Sequence, residues 1–570
     1  MLTKTFTRLA IACWMVALLS ACGGGGGGGG GGASSGGGQG QPPVATPAPG
    51  PSAAAIGHAS RFAAQATFGL PFDKLEALAE TSRGEWLDAQ FELPVGYHRP
   101  VVDGLIARRN AGEFSEVEEG IELLATFRRY AWWDRTTSSS DALRQRVAFA
   151  LSEIFVVSDT VDTLIVNPYA LSTYYDVLLD GSFGSFRDLL RNVALHPAMG
   201  IYLSHVNNRK ADPAANIFPD ENFAREVMQL FTIGLFELNL DGSRRLDASG
   251  DPVPTYDNDD IREFAKIFTG LSYAGAGAFF GNEEPSFQAP MQMFDAEHEP
   301  GEKRLLNGVV VPAGQSGIDD IEAALDNLFA HPNVGPFIGR QLIQRLVTSN
   351  PSPAYVERVA GAFNDNGSGV RGDMRAVVSA ILLDPEAETP SATLSGGKLR
   401  EPVVRFAALV RQLNPQSDSG QFFNGGYSVQ NLTRQHPLSS PSVFNFFLPD
   451  HSPAGTLAEQ SLVAPEFQIT NATTIAGMTN LVDFAVNGDF TTDSSEIFGE
   501  IRLNYSEFIA LAGDPPALVE RLDLLFTYGA MAEGTKAAII EIVADMEGAE
   551  LRAKTAVYLT LISPDYAVRI

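Results

Sequence analysis

Apolar residues recur at helical spacing through most of the chain. They return every three or four positions, the period that gives an α-helix one buried face. Strand-like alternation is scarce, so the pattern predicts an all-α, multi-helical body. The clearest stripes are Ile321, Leu325, Leu328 and Phe329; Ile338, Leu342 and Leu346; Val356, Val359 and Phe363; and Met374, Val377, Val378 and Ile381.

Two short segments depart from this helical period. Residues 305–311 have the composition of a strand, and residues 236–240 run into a turn at Asp241-Gly242. Both are typical of β-hairpins. The sequence therefore predicts a small β-hairpin-bearing insertion at about residues 239–317.

Residues 186–200 align without gaps on residues 321–335, and both segments carry a His-Pro pair at the same place, at His196 and His331. Each unit is typical of an amphipathic helix stopped by proline, with a second helix leaving the corner. We expect both histidines in the last helical turn, where histidine can bond free carbonyls and meet the negative end of the dipole. A paired-histidine metal site is the less favoured alternative. Such units in series predict stacked helical hairpins.

The N-terminus has the layout of a secretory signal. Lys4 and Arg8 form a basic start, and an apolar stretch too short to span a bilayer follows. Leu-Ser-Ala-Cys at residues 19–22 resembles the lipobox of bacterial lipoproteins. We therefore expect residues 1–22 to be a lipoprotein signal peptide and Cys22 to carry the lipid, palmitate included, that anchors the protein to a membrane. Gly23 after the cysteine resembles the sequence of lipoproteins sorted to the outer membrane, so the expected location is the cell envelope.

Glycine, serine and proline dominate residues 23–55. This composition cannot bury a core, so the segment is predicted to be a disordered tether. The helical body is then expected to occupy residues 56–570 and to stand off the membrane.

The charge balance is strongly acidic, with 40 Lys and Arg against 68 Asp and Glu and a formal net charge of −28. Such a chain repels nucleic acid, and we expect no nucleic-acid partner. Its two cysteines, Cys13 and Cys22, both lie in the predicted signal. The mature body therefore offers no disulfide, no thiolate nucleophile and no cysteine metal site.

Several segments resemble the bacterial domain-of-unknown-function 1800 family, in the family's order, from about residue 56 to the C-terminus. The segments that carry this resemblance are residues 61–69, 219–234, 256–261, 268–270, 298–303 and 435–442. The resemblance implies an exported, largely helical protein with no agreed activity and no catalytic residues to carry over. It also implies a sulfatase-like exported partner protein, because genes for the two families often lie side by side.

The chain departs from the family at three places where many members carry histidine. It has Phe231 in place of a histidine and His298-Glu299 in place of His-Asp. Where many members have a Trp-His pair, it reads Ala-Leu-Ser-Glu at residues 150–153. These departures weaken a metal-enzyme interpretation of this member.

The shared polar segments still contain a candidate site. Glu221 and Glu226 lie at the start of a predicted helix, and Asp295 and His298 lie in an acidic turn. Carboxylates and a neutral imidazole are ligands that a divalent metal ion accepts, and they can also perform acid–base chemistry. The alternative, which we favour, is that these are solvated carboxylates, a helix cap and ordinary ion pairs.

Two function classes follow, and the sequence leaves open whether the protein is an enzyme. The first is a lipid-anchored surface scaffold that docks an exported partner or an envelope polymer. The second is a metal-assisted hydrolase that acts on extracellular material. The tether, the repeats and the missing histidines favour the scaffold.

Overall fold

Helices packed in series build the protein, as the apolar periodicity predicts. The computed structural model describes residues 50–114, 121–281, 285–389, 394–423, 426–488 and 500–569. Helices make up 56% of the structure, and the sheets within the described ranges are small and two-stranded. The predicted fold class, mostly helical with a small β-bearing insertion, is confirmed.

The first half of the body consists of short helices that follow one another closely. Their bounds are α1 Ala53–Ala66, α2 Phe72–Ala79, α3 Arg83–Phe91, α4 Arg99–Asn110, α5 Ile121–Ser138, α6 Ala142–Ser152, α7 Asp162–Ile165, α8 Pro168–Gly181, α9 Phe186–Ala194, α10 Pro197–Tyr202, α11 Asn222–Gln229 and α12 Asn258–Ile267.

The second half is also built mainly of helices, and its first four helices contain the four predicted apolar stripes. The bounds are α13 Gly317–Ala330, α14 Val334–Leu346, α15 Pro353–Asn364, α16 Met374–Leu382, α17 Pro385–Glu388, α18 Pro402–Gln412, α19 Gly426–Thr433, α20 Thr456–Glu459, α21 Ala472–Asn487, α22 Ser506–Leu511, α23 Pro515–Leu522, α24 Glu533–Ala544, α25 Ala549–Ile562 and α26 Pro564–Ala567.

The described residues contain four antiparallel strand pairs, of which the last two connect distant parts of the chain. The pairs are β1 Leu271–Ser272 with β2 Gln292–Met293, β3 Lys303–Arg304 with β4 Val310–Val311, β5 Lys398–Leu399 with β8 Val568–Arg569, and β6 Gln416–Ser417 with β7 Ile501–Arg502. The pairing of β5 with β8 joins the C-terminal segment to the residues that directly precede α18.

The predicted insertion is confirmed in outline and corrected in detail. Residues 305–309 form the turn between β3 and β4 and not a strand, because Asn307 and Gly308 adopt left-handed backbone angles. Isolated bridges tie Phe236 to Pro254 and Leu238 to Arg244, so an arm of irregular β structure occupies residues 235–256. The helix α12 also lies within residues 239–317.

The helix–proline corners form, but the histidines do not act as expected. His196 Nδ1 accepts a hydrogen bond from the backbone N–H of Ala198 at 3.1 Å, and His331 Nδ1 accepts one from Asn333 at 3.2 Å. Each histidine therefore bonds the N–H groups at the start of the following turn, not the carbonyls of the helix before it. An accepting Nδ1 requires a neutral imidazole, so the expected dipole contact with a charged histidine is wrong.

The body begins slightly earlier than expected. Helix α1 starts at Ala53, with Ser52 Oγ accepting from the N–H of Ala55 at 3.2 Å, so the last residues assigned to the tether are helical. The predicted signal peptide, the lipidated Cys22 and the tether up to residue 49 lie outside the described residues. Within the described ranges, no helix combines the length and the apolar character needed to cross a bilayer.

Candidate functional site

A cleft of about 400 Å³ opens between the irregular β arm, α14 and the loop that follows α19. Its walls are mostly apolar, and its floor is polar and deeply buried. Such a combination is typical of small-molecule and peptide sites. The wall and mouth residues on which the argument depends are Leu235, Phe337, Phe444, Phe447, Leu448, Arg244 and Arg340, and the floor consists of Glu153, Gln341, Arg345 and Asn445.

Glu153 is the central acid of the floor. It directly follows α6, and its side chain is 3% exposed. Asn445 Nδ2 donates to Glu153 Oε1 at 3.2 Å, and Arg345 Nε lies 3.7 Å from Glu153 Oε2. Burial raises the pKa of Glu153 well above its usual range, and the adjacent carboxyl of Glu401 raises it further.

Glu401 is the carboxyl next to Glu153, and it lies at the start of a different helix. It stands at the N-terminus of α18, in the cap position, where the positive end of the helix dipole stabilises an anion. Glu153 stands at the C-terminus of α6, where the dipole opposes one. The two helix ends therefore have opposite effects on the two neighbouring carboxyls.

Gln435 holds Glu401 in place. Its Nε2 donates to Glu401 Oε2 at 2.7 Å, while its Oε1 accepts from the backbone N–H of Val403 at 3.2 Å. One amide therefore caps the helix and orients the carboxyl. Residues 435–442, one of the segments that resemble the family, therefore contribute to the site through Gln435.

The loop that carries Asn445 is strained and firmly attached. Arg434, Leu438 and Asn445 all have positive φ angles, which non-glycine residues adopt at a cost. The loop is held by Asp159, whose backbone N–H donates to Leu438 O at 2.9 Å and whose carboxylate accepts from Ser439 Oγ at 2.9 Å. The strain is thus offset by fixed contacts that present Asn445 to Glu153.

Two buried arginines lie beneath the floor and bond backbone carbonyls there. Arg345 Nη2 donates to the backbone carbonyl of Glu153 at 2.8 Å, and Arg146 Nη2 donates to the carbonyl of Arg345 at 2.6 Å. Both side chains are buried. A third carboxyl, Glu466, pairs with Lys398 nearby, and burial raises the pKa of Glu466.

The four sequence-predicted site residues lie outside the cleft, and each makes its own local contacts. Glu221 is half exposed and pairs with Arg225 at 3.3 Å, whereas Glu226 is buried and its pKa is raised by burial. Asp295 Oδ1 accepts from the N–H of Gly317 at 2.8 Å and so caps α13. In the described ranges, no group of three or more His, Cys, Asp or Glu side chains could hold a metal ion.

His298 contacts a buried ion pair, Lys303 with Asp320, between the insertion and α13. Its Nδ1 lies 2.9 Å from Thr269 O and its Nε2 lies 2.8 Å from Asp320, which also pairs with Lys303. Burial would raise the pKa of Asp320, but the hydrogen bonds from Lys303 and His298 outweigh it and the pKa is lowered. The arrangement holds the insertion against the helices, and all three side chains are closed off from solvent.

Sequence reasoning missed Glu153, Glu401, Gln341 and Arg345. The one available signal was at residues 150–153, where the chain departs from the Trp-His pair of many relatives. The sequence does not show what Glu153 contacts, because Glu401 and Asn445 are hundreds of residues away along the chain.

Comparison with known proteins identifies the family of the chain but no activity. Residues 61–568 match the family described as a protein of unknown function (DUF1800). No curated protein and no solved structure is significantly similar to the chain.

Proposed function

We propose, from the premise that the chain belongs to the DUF1800 family, that it is an exported, lipid-anchored envelope protein whose cleft holds an exported partner or an envelope polymer. The cleft is the observation that carries this proposal. A described surface that joins exposed apolar walls to a buried polar floor is suited to binding.

The rim of the cleft supports the binding role. Leu235, Phe444 and Leu448 are exposed there, and Phe444 has 46% of its surface in contact with solvent. Exposed apolar side chains that converge on one concavity mark an interaction site more often than scattered ones do. The arginines Arg244 and Arg340 flank the mouth, in a chain whose net charge is −28. Asp450 also lines the cleft and interacts with Arg340, so it is the exposed apolar rim that indicates the chemistry of the partner, which is apolar.

The proposed lipid anchor on Cys22 would place the cleft where it can bind such a partner. A lipid on Cys22 and a glycine-rich tether would hold the body at the envelope surface while leaving the cleft free to reach exported material. A sulfatase-like exported protein, which the family resemblance implies, is one occupant of this kind.

A photocrosslinking experiment in cells tests the proposal. A benzophenone amino acid replaces Phe444 at the rim, and a matched control replaces Phe218, an aromatic residue that is also exposed but does not line the cleft. We expect an adduct with one exported protein or envelope polymer at position 444 that is lost when Leu235→Asp and Leu448→Asp are added. Equal labelling at both positions, or an adduct that survives the two aspartates, would contradict the proposal.

The metal-assisted hydrolase is the alternative. It drew its support from Glu221, Glu226, Asp295 and His298, whose side chains do not form a metal-binding group in the described ranges. A melting curve with and without chelator separates the two functions. A chelator-sensitive melting temperature would favour the hydrolase, and an unchanged one favours the binding protein.

A further inference from the structure

A second concavity, which we call the α3 hollow, lies apart from the cleft. It has a volume of about 540 Å³ and opens between α2, α3, the segment that joins α5 to α6, and the residues at the end of α18. It shares no lining residue with the cleft. The lining residues on which the argument depends are Lys74, Trp86, Gln90, Ser140, Arg411 and Asn414.

The charged side chains that line the α3 hollow are cations. Lys74 and Arg411 line it, and no described aspartate or glutamate does, although the chain has 68 acidic residues against 40 basic ones. Asp73, outside the lining, lies 3.7 Å from Lys74, but both side chains are exposed and such a contact is weak. The hollow therefore favours an anion over a cation.

Arg411 presents a donor that is unpaired and open to solvent. Its Nε donates to the carbonyl of Gly69 at 3.0 Å, and its Nη1 donates to the carbonyl of Thr137 at 3.0 Å. These bonds fix the guanidinium in the wall. Its Nη2 makes no hydrogen bond with the described residues and is not sealed from water, so a ligand in the hollow can reach it.

The positive charge of Arg411 is only partly compensated. Asp141 acts on it without forming an ion pair, and that carboxylate already pairs with Arg144 at 3.9 Å and accepts from the N–H of Gly96 at 2.9 Å. Burial lowers the pKa of Arg411 to about 10, as expected for a cation without a close partner. An anionic ligand would supply that partner.

Gln90 and Trp86 add two further donors. Gln90 Oε1 accepts from the backbone N–H of Leu143 at 3.3 Å, which leaves its Nε2 to donate to a ligand. The indole N–H of Trp86 has no hydrogen-bond partner among the described residues, although the side chain is partly buried. Phe62 packs edge-to-face against Trp86, with ring centroids 5.4 Å apart, and so holds the indole in place.

The uncharged part of the lining matches a sugar. A sugar hydroxyl both donates and accepts, and so do the hydroxyl and amide side chains of this wall. The flat indole of Trp86 also gives the apolar C–H face of a sugar ring a surface on which to pack. The hydroxyl and amide side chains, besides Gln90, are Thr81, Thr137, Ser138, Ser139, Ser140 and Asn414.

We propose that the α3 hollow binds an acidic sugar, that is, a sugar ring that carries a carboxylate or a sulfate, with the anionic group towards Arg411 and the ring against Trp86. This inference goes beyond the proposed function, because the hollow is separate from the cleft and takes a ligand of different chemistry. The natural source of such a ligand is an acidic polysaccharide.

Other ligands fit the hollow less well. A metal ion needs acceptors with negative charge, and the charged groups here are donors. A lone phosphate or sulfate ion would leave most of a volume of 540 Å³ unfilled. An apolar acid would satisfy the cations but would leave the hydroxyl and amide side chains without partners.

A titration of the full chain followed by NMR tests the proposal, at low ionic strength because salt screens charge. The probes are methyl glucuronoside, methyl glucoside 6-sulfate and methyl glucoside, which has the same ring and no charge. We expect at least one acidic sugar to bind about tenfold more tightly than methyl glucoside, and the tighter one identifies the anionic group. Equal binding of all three, or binding of none, would overturn the proposal.

Cyclohexanecarboxylate separates the sugar from the charge, because it is a ring acid without hydroxyls. It should bind more weakly than the preferred acidic sugar. If it binds as tightly, the hollow accepts apolar acids and the assignment to a sugar is wrong.

The Gln90→Glu variant places a negative charge in the hollow. Its carboxylate can still accept from the N–H of Leu143, so the fold should be kept, and an unchanged melting temperature verifies this. We expect the preference for the acidic sugar to disappear while the affinity for methyl glucoside stays the same. The control Gln460→Glu makes the same change at an exposed residue outside the hollow and should retain the preference. Equal effects of the two substitutions would contradict the proposal.

Lys74→Gln and Phe444→Ala complete the design. Lys74 is exposed, so its substitution spares the fold and should weaken binding of the acidic sugar by about threefold; an unchanged affinity would contradict the assignment of the anionic group. Phe444→Ala alters the cleft and should leave sugar binding unchanged. A loss of sugar binding in Phe444→Ala would move the sugar to the cleft and overturn this inference, but not the proposed function. Conversely, failure of the crosslink at position 444 would overturn the proposed function and leave the sugar site intact.

Discussion

At the scale of single residues, burial and the surrounding charges act together on the carboxyl of Glu153. Glu153 follows the last turn of α6, Glu401 precedes the first turn of α18, and both are almost fully buried. The helix dipoles therefore act on the two carboxyls in opposite directions. Burial first, and then the neighbouring carboxyl of Glu401, raises the pKa of Glu153 well above its usual range. Gln435 Nε2 donates to Glu401 Oε2 and holds that neighbour in place.

The raised pKa of Glu153 makes stability depend on pH. The folded state keeps a proton that the unfolded chain releases above pH about 4, so the free energy of unfolding falls as pH rises from there through the folded-state pKa. This contribution amounts to about 1.4 kcal/mol for each pH unit between the two values. Glu153→Gln should remove it, because glutamine keeps an uncharged donor and carries no titrating proton. Urea denaturation between pH 5 and 8 measures the difference, and parallel profiles for the two proteins would contradict the assignment.

At the scale of elements, one corner recurs at least five times among the described residues. A helix ends, a residue with an accepting side chain precedes a proline, and the accepting atom bonds a backbone N–H just beyond it. The corner residues include, with their partners, Asn167 with Tyr169, His196 with Ala198, His331 with Asn333, Asp384 with Glu386 and Ser563 with Tyr566. Proline tolerates the first helical position because it has no N–H to lose there. The corner residue and the proline that follows it thus lie where one helix ends and the next begins.

The histidine corners should respond to acid. Burial lowers the pKa of His196 to about 3, so the folded state rejects a proton that the unfolded chain accepts below pH about 6.5. The stability it contributes is complete above that pH and is lost as pH falls towards 3. We expect His196→Asn to keep the cap and to reduce acid sensitivity, and His196→Leu to cost about 1 kcal/mol at neutral pH. Melting temperatures at pH 7 and pH 5 check both. A leucine variant as stable as the asparagine variant would mean that the cap contributes nothing.

Two helical glycines give a matched test of packing. A Cβ on Gly477 in α21 would overlap the carbonyl oxygen of Leu432 in α19, whereas a Cβ on Gly361 in α15 would meet nothing within 4 Å. We expect Gly477→Ala to destabilise the protein by about 1–3 kcal/mol through overpacking. Gly361→Ala should stabilise it by about 0.5–1 kcal/mol, because alanine loses less entropy in a helix. Chemical denaturation of the two variants should show opposite signs.

At the scale of the whole molecule, the acidity of the chain is a property of its surface. Buried cations and buried carboxylates are equal in number among the described residues, although the chain as a whole carries a charge of −28. The interior is thus balanced and the excess of acid faces solvent. Such a surface repels anionic groups such as lipid headgroups. The exclusion of nucleic-acid partners stays a prediction.

The anchor can be tested on the same scale. We expect Cys22→Ser to abolish membrane association, because none of the described helices can span a bilayer and the lipid would be the attachment. Partitioning of wild type and variant between detergent and aqueous phases measures this. A variant that still enters the detergent phase would contradict both the lipoprotein assignment and the location in the envelope.

Local signals in the sequence were sufficient for the helical architecture. The apolar stripes predicted α13 to α16, and the His-Pro pairs predicted two of the corners, because helix period and proline stops act over a few residues. The sequence also determined the acid balance and the lack of cysteine in the body. The roles of His196 and His331 were misjudged, since the direction of a cap depends on backbone angles at the corner.

The site was decided by tertiary structure alone. Glu153, Gln341 and Glu401 come from α6, α14 and the start of α18, and each looks unremarkable in its own segment. Their chemistry arises when folding removes them from water, sets one helix end against another and leaves polar atoms unpaired at the floor of a cleft. Desolvation and the juxtaposition of charges depend on distances in space, and a pattern of neighbours along the chain contains no information about them.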